Sequence, residues 1–252
     1  MSNQATQRFA ILAARSTIGQ AVAQQLHKEG HQLALLGRDL AGVDLKVANF
    51  SAECELTDFD ALEKTVGEAA NALGGLSGLV NCSGSIVLKP SHLSNRVLFD
   101  ETIEANLATA FAAVRAAVKH MDKAGGSVVL VSSAAATLGM PNHELIGAAK
   151  GAVEGLIRSA AATYSSKSIR FNGVAPGLVD TALSVDLLKN TTSRKVSESL
   201  HALGKIGTPE DIARAICWLL DSDQVWITGQ VIGIDGGLSR VQPRPKLGPT
   251  KP

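Results

Sequence analysis

Strand-like and helix-like runs alternate along this chain from residue 8 to residue 234, and that alternation restricts the fold more than any other feature of the sequence. Residues 8–13 (RFAILA) form a short apolar run of strand character, after which Ile18, Val22 and Leu26 recur at near-helical spacing before Gly30. Residues 32–36 return to strand character. Residues 59–73, 97–121 and 209–220 carry helical periodicity, whereas 78–81, 127–132, 169–175 and 230–234 read as strands. This order predicts a doubly wound α/β fold, a Rossmann-type parallel sheet with helices on both faces. Right-handed crossovers then leave few topologies. Ligands in such sheets sit beyond the carboxyl ends of the strands, so chemistry is expected on the loops after residues 13, 37, 81, 132 and 175.

The 252 residues suit one domain with one large core, predicted over 1–241. Residues 242–252 (QPRPKLGPTKP), with four prolines and three basic residues, are expected to form an extended, solvated tail. Hydrophobic residues at 45% and charged residues at 19% exclude a disordered chain. A net charge of +1 gives no field that would draw the protein to nucleic acid or to an anionic membrane, which points to a small-molecule substrate or another protein as partner. No apolar run reaches the ~18 residues that span a bilayer, and the first residues lack the apolar stretch of a signal peptide, so a cytoplasmic protein is expected. Cys54, Cys82 and Cys217 are widely spaced and lie in apolar runs, as reduced core thiols do, and no metal site is predicted.

Several segments, in order and spacing, resemble the short-chain dehydrogenase/reductase family over nearly the whole chain. They are Asn81-Cys82-Ser83-Gly84, Val131-Ser132-Ser133, Lys150 in Gly147-Ala148-Ala149-Lys150, the run from Ile169 through Asn172 to Pro176-Gly177, Gly207-Thr208-Pro209-Glu210-Asp211, and Thr228-Gly229-Gln230 leading to Asp235-Gly236-Gly237. The resemblance implies a nicotinamide-dinucleotide oxidoreductase. It places the cofactor against Arg15, Ser16, Ile18, Gly19, Arg38, Glu55, Leu56, Asn81, Ser83, Gly84, Lys150, Pro176, Gly177 and Thr181, and it makes residues 178–205 a lid over the substrate. Matched to the family's active site are Ser133, which would bond the substrate carbonyl, Asn106, which would prop the active-site helix, and Lys150, which would hold the nicotinamide ribose.

The sequence departs from the family pattern at two places. Where members read T-G-x-x-x-G-x-G, this chain reads Leu12-Ala13-Ala14-Arg15-Ser16-Thr17-Ile18-Gly19, and only the last glycine remains. Glycines let that backbone turn tightly and approach a diphosphate at a helix N-terminus. A left-handed conformation at Thr17 would cost about 1–2 kcal/mol. Ser16 and the first helical amides would still hold a phosphate, with Arg15 adding a charge-assisted bond. The second departure lies at the Y-x-x-x-K motif, where counting back four from Lys150 reaches Ile146. The sole tyrosine, Tyr164, stands three before Lys167 and reads as a packing residue at the far end of the same helix.

Two residues carry alternative readings. Gly37-Arg38 resembles the type that takes NADP(H) in preference to NAD(H), because a guanidinium pairs with a 2′-phosphate. The plainer reading is a surface turn whose Arg38-Asp39 pair faces water. His143 lies on the face of Ile146 and Lys150 at helical spacing and would serve as a substitute acid. Otherwise Asn142-His143-Glu144 caps that helix, with Asn142 as N-cap.

Three functions remain open: an NADP(H)-linked oxidoreductase working without the tyrosine, a catalytically inactive partner subunit of an active homologue, and a nucleotide-sensing binding protein. The resemblance also implies a homodimer or homotetramer, or a hetero-oligomer, pairing through the alanine-rich helices near 97–121 and 143–166.

Overall fold

The computed structural model describes residues 6–242, so the predicted tail, apart from Gln242, lies outside the described residues. Among the described residues, seven strands form one sheet in the order β3-β2-β1-β4-β5-β6-β7. They are β1 (Arg8–Leu12), β2 (Gln32–Gly37), β3 (Phe50–Glu53), β4 (Gly78–Asn81), β5 (Gly126–Val131), β6 (Ile169–Pro176) and β7 (Val231–Ile234). Every pair runs parallel, with Ala10 level with both Ala34 and Leu79. A parallel sheet needs cover on both faces, which is why these strands are almost continuously apolar.

The cover comes from helices α1 (Thr17–Lys28), α2 (Phe59–Leu73), α3 (Arg96–Ile103), α4 (Thr109–His120), α5 (Glu144–Tyr164), α6 (Val185–Leu188), α7 (Thr191–Leu200) and α8 (Pro209–Leu220). Ala10, Leu12, Leu36, Leu79, Val128, Leu130 and Phe171 point to one face and pack under α2, α4 and α5. Their neighbours Phe9, Ile11, Leu33, Leu35, Val80, Val129 and Val174 point to the other and pack under α1 and α8. The two-residue period of each strand thus feeds two separate cores. Truncating a fully buried residue such as Leu35 to alanine would cost about 2–5 kcal/mol.

Local signals set the helix starts. Ser16 caps α1 by accepting from the Gly19 amide at 3.0 Å, and Asp58 caps α2. Thr208 and Asp211 form a reciprocal capping box on α8, with Pro209 at its first position.

The structure corrects three expectations and adds one strand. The first strand stops at Leu12, because Ala13 takes a left-handed conformation (φ +53°) and turns the chain. The short strand β3, half-buried at the sheet edge, had no apolar run to announce it. The helix read over 97–121 is broken: α3 and α4 are joined by a π-helical turn at Glu104–Ala108, a one-residue insertion that leaves the apolar period almost intact. Finally, Asn142 is not the cap of α5. It adopts φ +65°, and His143 takes the N-cap position without a side-chain bond. Among the described residues no helix is long and apolar enough to cross a membrane.

Candidate active site

The order of the strands reverses direction between β1 and β4, and the crevice beyond their carboxyl ends is where such sheets bind ligands. A cavity of about 420 Å³ opens there. Its walls come from the loops after β1 (Arg15, Ser16, Thr17, Ile18), β4 (Cys82, Ser83, Gly84, Ile86), β5 (Ser132, Ser133) and β6 (Pro176, Gly177, Thr181, Leu183), together with Ile146 and Lys150 of α5. A second cleft of about 320 Å³ shares Arg15, Ser16, Ser83 and Gly84 with it and continues to Arg38, Glu55 and Leu56. Of the residues singled out in the sequence, Gly19, Asn81, Asn106 and His143 line neither space.

The loop after β1 is reshaped and still tight. Ala13 carries the left-handed turn, so the backbone strain falls there and not on Thr17, which is the first residue of α1. The predicted cost at Thr17 is therefore absent, and its hydroxyl gains a partner by accepting from the Ala182 amide at 3.2 Å, which ties the segment after β6 to this loop. Gly19 allows a close crossing: a Cβ on it would lie 2.7 Å from the Ala13 carbonyl oxygen. The amides of Thr17 and Ile18 have no intrahelical acceptor, and the positive end of α1 opens on both spaces. That cradle fits a dinucleotide diphosphate. Arg15 departs from expectation, since its guanidinium forms an ion pair with Asp39.

β2 ends at Gly37, and the exposed Arg38 follows on the wall of the second cleft. Among the described residues Arg38 makes no ion pair, while Asp39 turns to Arg15. Glu55 accepts from the Thr57 hydroxyl at 3.1 Å, over the buried Leu56.

Across the cavity, Lys150 is 95% buried, at 5% exposure, and its Nζ donates to the Val131 carbonyl at 2.8 Å. It is no solvated helix lysine, and burial lowers its pKa to about 8. Ile146, also buried, precedes it by one turn and presents no polar atom. Burial likewise pushes the Cys82 thiol up to about 12. Ser133 caps a short 3-10 turn, its Oγ accepting from the Ala135 amide at 3.2 Å.

Behind this wall sits Asn106, fully enclosed in the π-helical turn. Its Oδ1 accepts from the Ser85 amide at 3.2 Å, and its Nδ2 donates to Ser85 Oγ and to the Thr102 carbonyl, both at 2.9 Å. Gly84 passes so close that a Cβ on it would stand 3.1 Å from Asn106 Oδ1 and 3.2 Å from Lys150 Nζ. Asn81 braces the same loop, its Oδ1 accepting from the Ser83 amide at 3.1 Å.

His143 does not reach the cavity. A ring nitrogen sits 2.7 Å from the Pro141 carbonyl, held there by the tight entry into α5. Two further groups escaped the sequence reading. Ser132 Oγ donates to the buried Glu154 at 2.9 Å. His201 accepts from the Leu178 amide at 3.2 Å, and a Cβ on Gly177 would lie 2.7 Å from its Nε2. Nothing local announced either of them, and the i, i+4 spacing of Lys150 and Glu154 suggests an ion pair, whereas Lys150 Nζ bonds the Val131 carbonyl.

Comparison with known proteins agrees with this architecture. The family model described as enoyl-(acyl carrier protein) reductase matches residues 12–239. 2-(S)-Hydroxypropyl-CoM dehydrogenase 3 of Xanthobacter autotrophicus is 31% identical over 246 residues, covering 92% of this chain and 96% of that protein. The inactive 2-(S)-hydroxypropyl-CoM dehydrogenase 2 of the same organism is 32% identical over 227 residues, with 85% and 97% covered. The solved structure of ElxO with NADP bound superposes with a TM-score of 0.85 at 27% identity, covering 93% of this chain and 99% of the other. The sheet order, the crevice at its switch point and these relatives place the chain in the short-chain dehydrogenase/reductase family.

Proposed function

We propose that this protein is an NADP(H)-linked oxidoreductase acting on a small carbonyl, alcohol or enone without the tyrosine acid. The observation that carries the reading is Arg38, an exposed guanidinium free of ion pairs among the described residues, on a cleft continuous with the cavity of Ser133 and Lys150. The head of α1 holds the diphosphate, Arg38 the 2′-phosphate, and Glu55 and Leu56 border the adenosine end. Lys150 holds the nicotinamide ribose, with Pro176, Gly177 and Thr181 on the opposite wall. NADP in the related ElxO supports this choice over NAD(H).

When bound, the dinucleotide supplies or accepts the hydride. Ser133 Oγ donates a hydrogen bond to the substrate oxygen, stabilising the charge that gathers there. Ile146, Ile86 and Leu183 shed water from the apolar side of the cavity and favour a small, largely apolar substrate. Loss of a general acid costs about 10²–10⁴ in rate, which slows the reaction and leaves hydride transfer feasible. Incubating the protein with acetophenone or cyclohexenone and following the nicotinamide absorbance tests this. Consumption of NADPH in preference to NADH is expected, and equal or faster use of NADH would contradict the cofactor assignment.

A second reading has support from Ile146 together with the inactive relative: a partner subunit that has lost catalysis. The alanines at 110, 112, 113, 116 and 117 on α4 are buried within the chain, whereas Ala148, Ala152 and Ala162 on α5 are exposed, so of the two alanine-rich helices α5 keeps small side chains free for pairing. Self-association is proposed through α5 and through the large apolar side chains left outside, Phe111 at 49% and Trp226 at 96% exposure. Sedimentation as a monomer at micromolar concentration would contradict it.

A further inference from the structure

A proton that reaches a substrate in this cavity comes from a side chain on its wall or from water. Among the described residues lining it, the titratable side chains are Arg15, Cys82 and Lys150. Arg15 is paired with Asp39, and a guanidinium does not give up a proton near neutral pH. Cys82, on the loop after β4, keeps its proton because burial holds the thiol at about 12. Glu154, one turn beyond Lys150 on α5, is turned away to Ser132 Oγ.

Lys150 differs from all of these. Its Nζ has one acceptor, the Val131 carbonyl, which leaves two of its three N–H donors uncommitted among the described residues. The absence of a side chain at Gly84, 3.2 Å from Nζ at its ideal Cβ position, keeps that nitrogen open to the cavity. Its neighbour one turn back is Ile146 and not a hydroxyl. We infer that the Lys150 ammonium is itself the acid that protonates the substrate oxygen, and its amine the base in the reverse direction. This assignment rests on the oxidoreductase reading above. An N–H bond of the ammonium breaks and an O–H bond forms; the electron pair stays on Nζ, and the neutral amine regains its proton from solvent water. Burial that brings Lys150 to about 8 keeps both forms accessible around neutral pH.

Two measurements test the inference. In the first, pyridoxal and borohydride label the intact protein from about pH 6 to about pH 10, and the peptide bearing Lys150 is quantified by mass spectrometry. Half-maximal labelling near pH 8 is expected, below that of the surface lysines; coincidence with them would overturn the assignment. In the second, Lys150→Arg keeps the charge that holds the ribose and gives no proton. A fall of about 100-fold or more in kcat on acetophenone is expected, with NADPH affinity within about fivefold of the original and the alkaline fall in reduction rate abolished. Retention of kcat within about threefold, with an unchanged pH profile, would overturn it. NADPH binding without turnover of either probe overturns this assignment alone. Failure to bind NADPH at all removes the oxidoreductase reading, and this assignment with it.

Discussion

Ile146 and Lys150 stand one turn apart on α5, both buried, and both side chains wall the same cavity. At i and i+4 they share one face of the helix, so a hydroxyl-bearing side chain at 146 would project into the same space as Nζ. Ile146→Tyr is therefore expected to raise kcat for ketone reduction by about 10²-fold or more at neutral pH, without changing NADPH affinity. An unmutated protein that already turns over such ketones at ~10² s⁻¹ would show that the site has no need of a tyrosine.

The strain in the loop after β1 is localised at one residue. Ala13 holds φ +53° and Thr17 does not share that region, so the two matching glycine substitutions should have opposite signs. Ala13→Gly is expected to stabilise the fold by about 1 kcal/mol, the cost of holding a Cβ in the left-handed region. Thr17→Gly should destabilise it by about 1 kcal/mol through lost helix propensity, besides the lost bond to Ala182. Urea unfolding of both variants checks this, and stabilisation by Thr17→Gly would contradict it.

Lys150 also gives stability a pH signature. Its pKa of about 8 lies below the ~10.4 of a free lysine, so the folded chain sheds this proton first. Between those values the unfolded state binds more protons and stability rises with pH; below about pH 7 both states are charged and the burial cost is at its largest. Compared with Lys150→Met, the wild type should gain about 1–3 kcal/mol between about pH 7 and about pH 10. A constant difference across that window would mean that Lys150 is not desolvated as described.

The layers of the fold were legible in the sequence because a parallel sheet writes its burial as apolar runs and its helices as a 3.6-residue period. Helix α2 is found at the residues its periodicity marks, and β4 likewise. Features that depend on one residue's backbone were not legible. The π-helical turn holding Asn106 adds one residue to a helix without disturbing its pattern. The left-handed turn at Ala13 falls on a residue type that seldom adopts it, so strain was assigned to Thr17, the bulkier side chain. Partners were harder still. Arg15 and Asp39 are 24 positions apart and meet because β1 and β2 are adjacent, which no local pattern announces. Helical spacing offers His143 to the cavity, but as N-cap it lies before the helix proper, where that spacing no longer applies, and of the two readings the structure agrees with the one that puts His143 at the helix start.

The central claim is that a phosphorylated dinucleotide lies across the two connected clefts with Arg38 at its adenosine end. Calorimetric titration of the wild type and of Arg38→Ala with NADPH and NADH measures it directly. The account predicts NADPH bound at least ~10-fold more tightly than NADH by the wild type, with the difference lost in Arg38→Ala and NADH affinity unchanged. Equal affinity for the two in the wild type, or a preference that survives Arg38→Ala, would contradict it.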